Sequence, residues 1–165
     1  MNTTDIARQF DACEQPVEAA NAYERAIDSG EQSIEAFIDL AVLYWVCTDG
    51  GYLAHHHLSQ EFVDRADRRA REVLDEAARR FGPNAEIAFW QYYFDHISYG
   101  KPSDASFCEA LLESGESLVP SFHLYCLTGK ATHRQRCEAL RSAAKNRRTE
   151  RERYLWSVAD SALRS

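Results

Sequence analysis

From Ile34 to Cys47 the chain reads IEAFIDLAVLYWVC, and twelve of these fourteen residues are apolar, Glu35 and Asp39 being the exceptions. A helix this apolar on every side packs between neighbouring helices rather than on a surface. It is also too short for a bilayer, which takes ~20 residues. The pattern predicts the central helix of an all-α domain.

On either side the apolar positions recur at helical spacing. Thr3 or Thr4 caps a first helix over 4–13, with Ile6, Ala7 and Phe10 on one face. Pro16 opens a second, carrying Val17, Ala19, Ala20, Tyr23, Ala26 and Ile27 and ending at Gly30, and Ser33 caps the central helix. The stretch CTDGGYLAHHHLSQ that follows reads as a loop of about a dozen residues. Ser59 then caps a long helix to Phe81, with Phe62, Val63, Ala66, Ala70, Val73, Leu74 and Ala77 in phase, and Gly82 with Pro83 ends it. AEIAFWQYYFDHISYG forms the next helix, and further helices are expected over 103–114, 120–128, 131–145 and 148–163. Residues 1–165 are expected to form a single domain.

These positions fall in a register. Ile6 and Leu40, Ala7 and Ala41, and Phe10 and Tyr44 are each 34 residues apart, and Ala19, Tyr23 and Ala26 lie between them. This alternation of large and small residues resembles the tetratricopeptide repeat, whose unit has 34 residues. The resemblance is clear over residues 4–47, looser to about 96, and lost beyond Gly100. It implies an irregular stack of helical hairpins, with the last two helices capping the end by a polar outer face. It also implies a protein-binding scaffold whose concave face is lined by the first helix of each repeat. The matching positions are Thr4, Asp5, Arg8 and Asp11, then Glu35, Ile38, Asp39, Val42 and Trp45. They lack the Lys and Asn pattern with which some repeats of this family hold a peptide C-terminal carboxylate. The competing reading places Val42 and Trp45 in the core beneath the 59–81 helix.

Charge sharpens the picture. The net charge is −7, but residues 1–60 carry ten acids against two bases, whereas residues 128–165 carry four acids against ten bases. An acidic, aromatic groove at one end suits a basic protein partner. The polar start NTTD has no apolar leader segment, and no stretch reaches the length of a membrane span, so a cytoplasmic protein without a membrane partner is expected. Cys13, Cys47, Cys108, Cys126 and Cys137 are odd in number and lack a CxxC pair, as reduced thiols would be.

Candidate chemistry is sparse. The chain has no GxSxG, Walker loop, GxGxxG or HExxH, so no enzyme activity and no cofactor is expected. His55, His56 and His57, with Asp49, Cys47 or His96, are the alternative centre of a helical enzyme or metal protein built on the Asp49–Ser59 loop. Adjacent histidines diverge, however, and no ligand stands at an established spacing. His123 with Cys126, and His133 with Cys137, are a second metal candidate set on an apolar face. Arg147, Arg148, Arg151 and Arg153 beside Tyr154 and Trp156 are the nucleic-acid alternative, interrupted by Glu150 and Glu152. The expectation is therefore a non-enzymatic binding protein, most specifically a bacterial immunity-type protein that neutralises a basic toxin domain.

Overall fold

Apolar spacing and capping residues fix where each helix begins and ends. The computed structural model describes residues 2–30 and 33–165. Among them are ten helices and no strand: α1 (Thr3–Ala12), α2 (Pro16–Asp28), α3 (Ile34–Val46), α4 (Gly50–His55), α5 (Gln60–Phe81), α6 (Ala85–Tyr99), α7 (Ala105–Glu113), α8 (Pro120–Thr128), α9 (Ala131–Ala143) and α10 (Glu150–Arg164). The fold is all-α. Asn2, rather than Thr3 or Thr4, caps α1: its side chain accepts the Asp5 N–H at 2.8 Å and the Asp5 carboxylate accepts the Asn2 N–H at 3.3 Å. That reciprocal pair satisfies two otherwise orphaned groups. Ser59 caps α5 through the Phe62 N–H at 3.2 Å.

The expected long loop after α3 is in fact partly helical. Asp49 accepts the N–H groups of Gly51 and Tyr52, both at 3.0 Å, and this cap starts α4 despite two glycines in its first turn. Capping offsets the entropic cost of ordering glycine in a helix.

The chain divides into two compact units, Met1–Gly82 with Arg148–Arg151, and Pro83–Arg147 with Glu152–Ser165. In the first, α1 packs on α2, α2 on α3 and α3 on α5, a stack of helical hairpins compatible with a helical repeat. Ala7, Ala19, Ala26 and Ala41 are fully buried, so the helices approach closely where these small residues stand. Phe37 meets Phe81 edge-on at 5.4 Å, and Tyr44 lies 6.1 Å from Phe62. Arg69 grips the Glu24 carboxylate through Nε and a terminal nitrogen, both at 2.9 Å, and the Tyr44 hydroxyl donates to the same carboxylate at 3.0 Å. One ion pair thereby joins α2, α3 and α5. The second unit has an aromatic core in which Phe89 stacks on Tyr93 at 5.4 Å and meets Phe122 edge-on at 5.7 Å. Tyr93 and Tyr154 share a hydroxyl hydrogen bond of 2.8 Å. Among the described residues no helix is long and apolar enough to cross a membrane.

Candidate functional site

α3 buries apolar side chains all round its axis, which leaves Asp39 no route to water, and its side chain is 0% exposed. An isolated carboxylate there would be strongly disfavoured, and two guanidinium groups neutralise it. Arg8 on α1 donates from Nε and a terminal nitrogen to Oδ2 at 3.3 and 3.2 Å. Arg151, from the first turn of α10, donates from Nε to Oδ1 at 2.7 Å. Arg8 keeps 40% of its side chain in water, whereas Arg151 keeps 15%.

A second buried carboxylate repeats this sharing. Asp11, at the end of α1, accepts the Tyr23 hydroxyl at Oδ2 (3.3 Å) and the Glu150 backbone N–H at Oδ1 (2.8 Å). Glu150 opens α10, so its N–H has no acceptor within that helix and points out of its positive end. A carboxylate is the natural partner. Glu150 is itself buried, and its side chain accepts the Tyr52 hydroxyl at 3.1 Å. Burial, then the charges of Asp39 and Asp11, push the Tyr23 phenol well above its ordinary range, so it stays a donor. Burial, then Glu150 and Asp11, likewise raise the Cys47 thiol and keep it protonated.

The nine positions singled out from the repeat register thus have different surroundings. Asp5 and Glu35 are exposed, and Arg8 and Trp45 are half-buried. Thr4, Asp11, Ile38, Asp39 and Val42 are buried. Segment 148–151 supplies the remote partners of Asp11 and Asp39. A carboxylate in an otherwise apolar helix signals a cationic partner, but the sequence offers many arginines and does not say which.

His56, His123 and His133 each have other neighbours. The rings of His55 and His56 stand at 90° to each other, Tyr52 packs 4.3 Å from His56, and His57 holds a left-handed φ of 52°. His123 Nε2 lies 3.1 Å from the Tyr92 hydroxyl, which also accepts the Asp104 N–H at 2.8 Å. Burial, then the charge of His96, lowers His123 from 6.5 to about 4, so this ring is neutral. His133 Nδ1 lies 2.7 Å from Thr128 Oγ1, and Cys137 Sγ faces the Ala159 carbonyl at 3.8 Å. Among the described residues no group of three His, Cys, Asp or Glu side chains converges as metal ligands would.

Several basic residues of the C-terminal stretch also have internal partners. Arg147 stacks over Trp156 at 4.7 Å, Arg153 donates to the Arg147 carbonyl at 3.3 Å, and Arg141 pairs with Asp160 at 2.9 Å. Comparisons with protein-family models, with curated proteins and with solved structures found no match.

Proposed function

We propose that this chain is a tetratricopeptide-like binding scaffold that works without catalysis, most specifically as an immunity-type inhibitor covering a basic toxin domain. The observation that carries the reading is the one-sided charge of α1 to α3. Asp5, Glu14, Glu18, Asp28 and Glu35 are exposed, while one of the two bases of this stretch, Arg8, is committed to the buried Asp39. Such a surface attracts a cationic protein before contact and orients it. Rigid, stacked helices hold that surface in place at little further entropic cost on binding.

The test is association of the purified chain with the product of its neighbouring coding sequence, followed by stopped-flow at rising salt. A basic partner should bind, with an association rate that falls steeply as the Debye length shrinks below ~10 Å. Absence of binding, or a rate indifferent to salt, counts against the reading.

A further inference from the structure

The first turn of α10 is held by two carboxylates from helices more than a hundred positions earlier in the chain, through one backbone N–H and one guanidinium. Each carboxylate also has a resident partner on the first hairpin. Asp39 pairs with Arg8, and Asp11 accepts from the Tyr23 hydroxyl, through contacts that do not involve segment 148–151. Opening therefore leaves neither buried carboxylate bare, which is the condition under which removing a partner is most costly. The segment sits on the helices, α1 and α3, whose first-helix positions the repeat register assigns to partner binding.

We infer that residues 148–151 are an intramolecular latch that occupies the Asp11 and Asp39 face, and that their release admits an arginine-bearing segment of a partner protein. This rests on the protein-binding reading above. The incoming segment must supply what the latch supplies: a guanidinium for Asp39 Oδ1 and an N–H donor for Asp11 Oδ1. Lysine meets this less well, since its ammonium is a point charge without the side-on Nε donor that Arg151 uses. The latch discriminates as well as blocks, because a partner gains the face only by outcompeting a tethered arginine, whose effective concentration is high.

The test uses this chain alone, so it fails or succeeds independently of whether a natural basic partner exists. The double substitution Glu150→Pro with Arg151→Ala removes the donated N–H, the carboxylate that accepts from Tyr52 and the guanidinium, yet proline suits the first position of a helix. A fluorescein-labelled peptide with the sequence of residues 146–154 is the probe. It should bind the double variant at least tenfold more tightly than the unaltered chain, and adding Asp39→Asn to the variant should abolish the gain. Equal, or absent, binding to both proteins overturns the latch. Hydrogen exchange on the unaltered chain decides the matter if the variant does not fold. The Glu150 amide should exchange at least tenfold faster than the amides of Leu40 to Tyr44, as local opening requires. Exchange of both sets together, at the rate of global unfolding, overturns the proposal.

Discussion

Arg151 Nε donates to Asp39 Oδ1 at 2.7 Å although 112 residues separate them. Arg8 holds the other oxygen of the same carboxylate, so one buried negative charge organises two positive ones. The three are not equivalent, because the arginines differ in their access to water.

Asp39→Asn should therefore be the costly change. It removes the carboxylate charge that the largely buried Arg151 meets at 2.7 Å, and loss of one partner of a buried pair costs about 3 to 5 kcal/mol. Arg8→Ala leaves Asp39 paired with Arg151 and removes a side chain that is 40% exposed, so a loss of about 1 kcal/mol is expected. Urea unfolding measures both. Equal losses would mean that Asp39 is not the centre of the arrangement.

Ala41 is fully buried on α3, on the side packed by neighbouring helices. Ala41→Leu adds three carbons where the backbones approach closely, and overpacking of this kind costs ~1 to 3 kcal/mol. A shift in the urea midpoint with unchanged helix content by circular dichroism is the expected result. No change in midpoint would show that the helices have room to spare there, contrary to the small-residue crossing.

How much of this was legible in the chain can be judged from particular residues. Pro16, Ser59 and the pair Gly82 and Pro83 mark helix ends because each acts locally, through its own ring, hydroxyl or φ angle. α4 was hidden because two glycines imitate a loop, while the Asp49 cap that overrides them depends on geometry three residues away. Asp39 stood out as a carboxylate in an apolar helix. Its partners did not, since periodicity tells which face of α10 is apolar and not which helices receive its first turn. Glu150 and Arg151 read as part of a mixed-charge solvated run, yet they belong to the first unit with α1 and α3.

His123 gives the stability a defined pH dependence. Burial, then His96, holds its folded value at about 4, against 6.5 for an unperturbed imidazole. Between these values the unfolded chain binds the proton and the folded one does not, so stability is full above pH 6.5 and declines as pH falls toward 4. The decline should approach 2 to 3 kcal/mol, at about 1.4 kcal/mol per unit of difference. The group facing its Nε2 is the Tyr92 hydroxyl, and His96 lies 5.2 Å away ring to ring. Urea titrations at pH 7.5, 5.5 and 4.5 should show a steeper loss for the unaltered chain than for His123→Gln. Parallel losses in the two proteins would place the acid sensitivity elsewhere.

The acidic surface makes the last prediction. Asp11 and Asp39 are unsuitable for charge reversal, since a lysine there would be buried against Arg8, Arg151 or a helix N-terminus and would unfold the first unit. Glu14, Glu18, Asp28 and Glu35 are exposed, so their joint replacement by Lys changes the field without disturbing the core, and Asp5 stays in its capping pair with Asn2. If this face steers a basic partner, association should slow by one or more orders of magnitude on the scale that electrostatic steering supplies. Dissociation should change less, because long-range attraction acts mainly before contact. The control replaces Arg136, Lys145 and Arg147, all exposed, by Glu and leaves segment 148–151 untouched. It should leave association intact or slightly faster, since it makes the chain more acidic. A reversal of the two outcomes, with the N-terminal set silent and the C-terminal set abolishing binding, would identify the partner as acidic and move the binding surface to the basic end of the chain.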